Sequence, residues 1–302
     1  MPSDDEGVAR PREAFALLGH DLRLEILLAL LDRWRAAHTE PQRYSELMRA
    51  VGLQDSGKFN YHLGRLRGAY LRKTEDGYVP TASATALYRA VLANRPTESA
   101  ARSELDSDAA CPDCEESLVA TYEGDFLTLR CPGCDRVVGD FTYPFPKNGL
   151  DDRTDAEVVR AVYQRARSQV GLARQGQCPD CAGTTTVAIR RGLLDRDDEH
   201  DVEITCDTCT WVVAVDFLLP LLSDARVAAA LVDLDVPVET AFSWELPEPT
   251  VTVASDDPLE FELRIESDGG TATVVVDGDL DVRSVTTDDG CDDGRDAGRA
   301  SR

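Results

Sequence analysis

The first third of the chain repeats apolar residues at helical spacing, and three of its segments predict helices. Residues 14–32 (AFALLGHDLRLEILLALLD) place Leu or Ile every three or four positions and predict one buried helix. Residues 44–52 (YSELMRAVG) predict a shorter helix that Ser45 caps and Gly52 ends. The third segment, residues 55–66 (DSGKFNYHLGRL), follows after a short turn and separates an apolar from a polar face.

The apolar face of this third helix consists of Phe59, Leu63 and Leu66 at i, i+4 and i+7. His62 lies at the edge of that stripe, and we expect it to be a packed structural residue. Asp55 or Ser56 can cap the helix, because a short side-chain oxygen accepts hydrogen bonds from the free N–H groups of the first turn. The polar face carries Gly57, Lys58, Tyr61, Gly64 and Arg65.

Two of the residues on the polar face are glycines, Gly57 and Gly64. Each costs about 1 kcal/mol of helix propensity relative to Ala. Small residues there allow the helix axis to approach another surface closely. For this stretch taken alone, the alternative is an ordinary solvated face of a core helix.

The segments that follow predict a hairpin and a closing helix. Residues 70–80 (YLRKTEDGYVP) predict two short strands around Asp76-Gly77, and residues 81–95 (TASATALYRAVLANR) predict a helix. Two helices joined by a short turn are the helix-turn-helix arrangement, and a β-hairpin after them makes a winged helix. We therefore predict a winged helix-turn-helix domain over residues 12–97.

Two stretches of this domain resemble a known family. LGHDLRLEIL (residues 18–27) is similar to the opening-helix signature of the ArsR-like winged helix-turn-helix regulators, with Arg23 at the family's arginine. SGKFNYHLGRLRGAYL (residues 56–71) is similar to their recognition helix and its connection to the wing, with His62-Leu63 at the family's His-Leu pair. The resemblance covers residues 12–95.

The resemblance implies a homodimer that places two recognition helices in successive major grooves of double-stranded DNA, with dimer contacts from the first and last helices. Lys or Arg pairs with guanine and Asn pairs with adenine, so base contacts are expected from the exposed face of the helix over residues 56–67. Arg72 and Lys73 at the base of the wing would contact phosphate. The candidate base-contacting residues are Ser56, Gly57, Lys58, Asn60, Tyr61 and Arg65.

Two features depart from the family pattern. The wing tip is Glu75-Asp76, which is acidic where a wing that binds phosphate would be basic. No cysteine precedes Cys111, so the metal-binding thiolates that some members have in this domain are absent from it. We therefore do not expect the wing tip to enter the minor groove, or this domain to sense metals through thiolates.

The charge of the chain is uneven. The formal net charge is −24, and only three of the 32 Lys and Arg residues are Lys. Such a composition is typical of halophilic archaea that accumulate salt, and the alternative is an acidic protein of an ordinary cytosol. Residues 10–95 carry a net charge of +5, whereas residues 96–302 carry −26. Because local charge decides what approaches phosphate, the acidic part is expected to bind a protein partner or a small effector rather than DNA.

Eight of the nine cysteines form CxxC pairs, and the pairs combine into two sets with 16 and 24 residues between their two CxxC units. Four thiolates satisfy tetrahedral Zn²⁺, so each set predicts a structural zinc ribbon with no open position for catalysis. An iron–sulfur cluster is the alternative, and it would colour the protein. The predicted zinc ligands are Cys111, Cys114, Cys131 and Cys134 in the first set, and Cys178, Cys181, Cys206 and Cys209 in the second.

The segments after the two cysteine sets are similar to each other. RVVGDFTYP (residues 136–144) and WVVAVDFLLP (residues 211–220) predict apolar strands, and TDAEVVRAVY (residues 154–163) and SDARVAAALV (residues 223–232) predict helices with a Ser/Thr-Asp cap. We interpret this as a duplicated ribbon–strand–helix module, although strings this short can agree by chance. The copies are either two scaffolds packed on each other or two separate binding surfaces.

Residues 250–285 alternate apolar and polar positions and predict an antiparallel β meander that completes the sheet of the second module. The predicted fold class is therefore α+β multidomain. Its parts are a disordered acidic N-terminus (1–11), the winged helix-turn-helix domain (12–97), a linker (98–108), a first ribbon module with its helix (109–174), a second ribbon module with helix and meander (175–287), and a disordered tail with the lone Cys291 (288–302).

These patterns favour a DNA-binding transcriptional regulator. The alternatives are an interaction module of the transcription machinery whose winged helix docks protein, and a redox switch in which oxidation ejects zinc. No nucleotide-binding glycine pattern, HExxH motif or nucleophile elbow is present, and the four histidines form no ligand-spaced pair, so we expect no enzyme. The longest apolar run, residues 211–222, is interrupted by Asp216 and Pro220, and residues 1–10 have no apolar core, so we expect a cytoplasmic protein without membrane contact.

Overall fold

The computed structural model describes residues 11–36, 40–100, 102–134, 136–194 and 199–289. Within them the protein is α+β, with helices and four antiparallel sheets. Contacts divide the chain into two compact units, Met1–Glu98 and Ser99–Arg302. The predicted disorder of the two ends and Cys291 fall outside the described residues, except that Pro11 begins the first helix and residues 288–289 end the last strand.

The N-terminal unit consists of five helices and one hairpin among its described residues. Its two strands pair antiparallel, with Arg72 opposite Val79. The elements are α1 (Pro11–Leu18), α2 (Asp21–Ala36), α3 (Tyr44–Ala50), α4 (Ser56–Leu66), β1 (Leu71–Lys73), β2 (Tyr78–Pro80) and α5 (Ala82–Asn94).

The prediction of one helix over residues 14–32 is wrong, because the chain bends at Gly19-His20 between α1 and α2. The Nδ1 atom of His20 accepts a hydrogen bond from the Leu22 N–H at 3.2 Å, and this bond satisfies a free donor at the start of α2. The described residues of α1 are all at least partly exposed, whereas α2 buries Ile26 and Leu30 completely. Only the second of these helices is therefore a core helix.

Local hydrogen bonds define where α3, α4 and α5 begin. Asp55 caps α4 by accepting from the Lys58 N–H at 2.9 Å, and Thr81 caps α5 by accepting from the Ala84 N–H. The predicted cap of α3 is wrong: the helix begins at Tyr44, so Ser45 lies inside it, and the Arg43 N–H donates to the Glu46 carboxylate instead. A local side-chain hydrogen bond thus defines where α4 begins.

The hairpin is tied to the loop between α2 and α3. Gln42 is buried, its backbone N–H donates to the Tyr78 carbonyl at 3.0 Å, and its amide donates to the Leu30 carbonyl at 3.1 Å. A Cβ atom at Gly77 would lie 2.3 Å from the Gln42 carbonyl oxygen, so only glycine fits this close approach. The position of the hairpin beside α4 therefore depends on a tertiary contact.

The C-terminal unit contains three antiparallel sheets, two longer helices and several short turns within its described residues. The sheets are β3-β4-β5-β6, β7-β8-β9 and β10-β11-β12-β13 in order of pairing. The elements are β3 (Glu104–Ala110), β4 (Ser117–Glu123), β5 (Phe126–Cys131), β6 (Arg136–Pro144), α6 (Asp155–Arg174), β7 (Thr185–Arg191), β8 (His200–Cys206), β9 (Val212–Val215), α7 (Leu218–Leu221), α8 (Ala225–Asp233), β10 (Thr250–Asp256), β11 (Leu259–Ser267), β12 (Gly270–Asp277) and β13 (Val282–Asp289).

Three details differ from the sequence-based expectations. Strand β3 begins inside residues 98–108, the stretch expected to be a linker. The apolar segment 211–220 is a strand only at Val212–Val215, because Asp216 accepts from the N–H groups of Leu218 and Leu219 and starts the short helix α7. The meander β10–β13 forms a sheet of its own and does not extend the sheet of the second ribbon.

Helix α6 is the centre of the C-terminal unit. It buries Val158, Val159, Val162 and Val170, and these side chains belong to one continuous apolar core with residues of all three sheets and α8. The two ribbon modules therefore share a core, which favours the interpretation that they are scaffolds packed on each other. In the described part of the chain, no helix has the length and apolarity to cross a membrane.

Candidate metal centres and nucleic-acid interface

The first cysteine cluster joins the β3–β4 turn to the β5–β6 turn. The Sγ atoms of Cys114 and Cys131 lie 3.5 Å apart, those of Cys114 and Cys134 lie 3.2 Å apart, and those of Cys111 and Cys134 lie 3.9 Å apart. Cys111 and Cys131 are buried, whereas Cys114 and Cys134 are exposed. The turns therefore bring together four thiols that the sequence separates by up to 23 positions.

The second cluster has the same arrangement between the start of β7 and the β8–β9 turn. The Sγ atoms of Cys178 and Cys209 lie 3.6 Å apart, and those of Cys181 and Cys206 lie 3.5 Å apart. In each cluster all four sulfur atoms lie within 4.8 Å of one another, so the two groups are positioned to bind a metal ion.

The donor set and the spacing fit a tetrahedral ion with four thiolate ligands. Metal–sulfur bonds of about 2.3 Å place tetrahedral sulfur atoms about 3.8 Å apart. The observed separations of 3.2–3.9 Å lie close to that value. They are too long for a disulfide, whose sulfurs are about 2.05 Å apart.

One sulfur in each cluster has backbone donors that favour the thiolate. The N–H groups of Cys209 and Thr208 donate to the Cys206 Sγ at 3.3 Å each, and these bonds lower the pKa of Cys206 to about 7. Burial raises the pKa of Cys131, but the N–H of Cys134 and the neighbouring thiols oppose it, and the pKa is lowered to about 7. These backbone donors favour the thiolate forms of Cys131 and Cys206, and the thiolate is the form that binds metal.

The faces of α4 separate as the sequence predicts. Phe59, His62, Leu63 and Leu66 are buried. All six candidate base-contacting residues are exposed, and Tyr61 has 63% of its surface accessible. Arg72 and Lys73 are exposed on β1, and the acidic Glu75-Asp76 lies at the exposed tip of the hairpin. Helix and hairpin therefore present these side chains to solvent rather than to the core.

The surface formed by α4 and β1 has an unusual composition for this protein. Residues 56–74 contain five Lys or Arg and no Asp or Glu, although the whole chain has 56 acidic residues among 302. The side chains of Lys58, Arg65, Arg72 and Lys73 form no ion pair among the described residues. Their positive charge is consequently not neutralised within the described chain, as binding to phosphate requires.

Sequence reasoning missed one contact of α4. The ring centroids of His20 and His62 lie 4.2 Å apart, although 41 residues separate the two histidines in the chain. No spacing rule finds such a pair, because the contact forms only when α4 packs against the turn before α2. The described residues near this pair do not include a third metal-ligating side chain that would complete a metal site.

A family model described as a domain of unknown function, DUF7351, matches residues 108–282, which is more than half of the chain. The chain belongs to the DUF7351 family. The DUF7351 match includes all eight clustered cysteines, α6 and the first three strands of the meander. A second model, the domain of unknown function DUF7347, matches residues 11–91 and so covers α1 through most of α5. The comparisons with curated proteins and with solved structures give no match.

Proposed function

We propose that this DUF7351 protein is a transcriptional regulator that binds double-stranded DNA through a winged helix-turn-helix in its N-terminal unit. The observation that carries the proposal is the stretch 56–74, which has five cations and no carboxylate in a chain with a net charge of −24. Lys and Arg side chains that have no carboxylate partner can neutralise DNA phosphates and displace the counterions condensed on them. The release of these counterions drives binding to the duplex.

The arrangement of α3, α4 and the hairpin supports a helix-turn-helix mode of binding. The exposed face of α4 carries Lys58, Asn60 and Arg65, whose side chains match the hydrogen-bonding edges of guanine and adenine. The buried face fixes α4 on the core, so the helix presents a rigid surface to the major groove. Arg72 and Lys73 on β1 would then contact the flanking phosphates and set the register.

We propose that the regulator is a homodimer formed by α1, α2 and α5 of this unit. The large exposed apolar side chains of the N-terminal unit, apart from Tyr61, lie on α1, α2 and α5 in the described residues. Leu24 and Leu28 lie one turn apart on the same face of α2. A second copy of the chain would cover these side chains, which are Phe15, Leu24, Leu28, Val91 and Leu92.

We propose Zn²⁺ as the ion of both cysteine clusters. Zn²⁺ accepts four thiolates in tetrahedral geometry without redox change, and a complete set of protein ligands leaves no position for a substrate. Both clusters tie strand turns together in a unit whose sheets share one core, so their role would be structural. The acidic unit that they stabilise would bind a protein partner or a small effector.

The test is a selection of duplexes from random-sequence DNA by the full-length, metal-loaded protein in molar KCl. The expected result is a motif with two half-sites about one helical turn apart, since a dimer places its two recognition helices at that spacing. A Lys58→Glu variant would recover no motif, whereas an Arg33→Glu variant, with the same charge change on α2, would recover the wild-type motif. Absence of enrichment at every salt concentration would contradict the proposal and favour the protein-docking alternative.

A further inference from the structure

An open groove of about 470 Å³ lies between the C-terminal end of α4 and strand β1. Its lining includes two glycines and three long cationic side chains. The lining residues are Gly64, Arg67, Gly68, Leu71, Arg72, Lys73 and Thr81.

All charged residues that line this groove are cations. Arg67, Arg72 and Lys73 line it and no carboxylate does. Four other cavities of the described residues each include at least one Asp or Glu. The three cationic side chains are exposed and form neither ion pairs nor hydrogen bonds with other described side chains. The groove is therefore suited to an anion.

Gly64 has no intramolecular reason to be glycine. It lies within α4, where Ala is favoured by about 1 kcal/mol, and a Cβ atom there would meet nothing within 4 Å. Gly68, by contrast, has a φ of +87°, which strains any other residue. Because Gly64 lines the groove without a side chain, an outside group can approach the backbone of α4 closely there.

We propose that this groove holds a backbone phosphate of duplex DNA, with Arg67 as a phosphate contact in addition to Arg72 and Lys73, and with Gly64 admitting the sugar–phosphate chain. This inference rests on the proposed function. The C-terminal end of a helix carries a partial negative charge that repels phosphate, so binding here depends on the cationic side chains. The guanidinium of Arg67 can donate two parallel hydrogen bonds to one phosphate, whereas a lysine ammonium interacts with phosphate as a point charge.

The openness of the groove favours a duplex over a free anion. The three cations lie at the surface on flexible side chains, and no buried charged group encloses the site. In molar salt the screening length is about 3 Å, so an isolated phosphate gains little from exposed cations. A duplex brings several phosphates and base contacts at once, and α4 positions it against the groove.

The experiment measures the affinity of the full-length, metal-loaded protein for its selected duplex between 0.2 and 1 M KCl by fluorescence anisotropy. Arg67→Gln is expected to reduce the slope of log K against log salt by about 1, which makes its loss of affinity about fivefold larger at 0.2 M than at 1 M. Arg33→Gln is the matched control, because Arg33 is an exposed arginine on α2 that does not line the groove, and it should leave the slope unchanged.

Gly64→Ala separates binding from folding. Because the new methyl group meets no atom of the chain, the thermal midpoint should stay the same or rise through better helix propensity. The affinity for the duplex should nevertheless fall roughly tenfold. The methyl group would displace the sugar–phosphate chain, and a tenfold loss corresponds to about one charge-assisted contact between phosphate and protein. If Gly64→Ala is as stable as the wild type but binds the duplex more weakly, Gly64 acts in DNA binding and not in folding.

Three results would overturn the inference. If the wild type binds its duplex and both Arg67→Gln and Gly64→Ala bind equally well, the phosphate groove is wrong and the proposed function stands. If the wild type binds no duplex at any salt concentration, both are wrong. If titration with inorganic phosphate shows saturable binding that Arg67→Gln removes while duplex affinity is unchanged, the groove is a site for a free anion.

Discussion

His62 on α4 packs its ring against the ring of His20, with 4.2 Å between the centroids and 45° between the planes. His62 is buried, and its Nδ1 atom has no hydrogen-bond partner among the described residues. Burial lowers the pKa of His62, and electrostatic interactions with His20, Arg23 and Lys58 lower it further. The lowered pKa favours the neutral form of this buried histidine.

This pKa shift makes the stability of the N-terminal unit dependent on pH. Because the pKa of His62 is lower in the folded state than its ordinary value of 6.5, the unfolded chain binds the proton more readily. Stability should be complete above pH 6.5 and should decrease as the pH falls from there towards the folded pKa. Hydrogen exchange of the α4 amides measured at pH 7.5 and pH 5 would show faster opening at the lower pH.

A His62→Gln variant removes the titrating group and should lose most of this pH dependence. His200→Gln is the control, because burial also lowers the pKa of His200, but this residue lies on β8 in the other compact unit. Equal pH dependence of α4 exchange in the wild type and in His62→Gln would contradict the explanation.

Salt should reverse the relative importance of two of the proposed DNA contacts. Near 1 M ionic strength the screening length is about 3 Å and the counterion-release contribution is largely lost. We therefore expect Tyr61→Ala to weaken binding more than Arg72→Ala does in molar KCl, because Tyr61 offers an exposed ring for apolar contact whereas Arg72 offers charge. An anisotropy titration from 0.2 to 2 M KCl measures both variants, and the opposite order at high salt would refute this expectation.

Metal content should follow the two cysteine clusters. The wild type should bind two Zn²⁺ per chain, as measured by mass spectrometry under native conditions and by atomic emission, and it should be colourless. Cys111→Ser removes a buried ligand of the first cluster, so it should bind one Zn²⁺ and unfold the C-terminal unit at lower temperature. Cys291→Ser is the control and should retain both ions. A coloured protein with iron would contradict zinc and support the alternative cluster.

The end of α6 is tied to the meander by one side chain. Arg174 donates from Nε and Nη2 to the Leu280 carbonyl, at 3.2 and 2.7 Å, and its Nη2 lies 3.9 Å from the Asp224 carboxylate. Arg174→Met would leave the Leu280 carbonyl without its donor and Asp224 without this cation. We expect a loss of about 1–3 kcal/mol in the free energy of unfolding, because the Leu280 carbonyl loses its charged donor, whereas Asp224 keeps its closer partner Arg226 at 3.0 Å.

Arg264→Met is the matched control for this prediction. Arg264 pairs with Glu266 at 3.0 Å on the exposed surface of β11, where an ion pair contributes less than about 1 kcal/mol. Urea unfolding in molar KCl, followed by the fluorescence of Trp211 and Trp244, compares the two variants. Equal stability of Arg174→Met and Arg264→Met would show that the contact between α6 and the meander is not a stabilising one.

Local sequence patterns were sufficient for much of this architecture. The apolar stripe and the cap of α4, the turn at Asp76-Gly77, and each single CxxC unit depend on residues within a few positions of one another. They predicted α4 with Asp55 as a candidate cap, the hairpin, and two four-cysteine groups positioned for a metal ion. Such features form wherever the chain contains them, because hydrogen bonds and ligand reach over these distances hardly depend on the rest of the fold.

Only the tertiary structure decided the features that join distant segments. The bend at Gly19-His20 divided a helix that apolar spacing alone predicted as continuous, and packing of α4 brought His62 against His20. The meander formed its own sheet because its apolar face packs against α8 and the shared core rather than extending the second ribbon. The groove beside Gly64 likewise exists only after the hairpin has docked beside α4. Periodicity identifies which face of an element is apolar, but the partner that covers that face is selected by the packing of the whole chain.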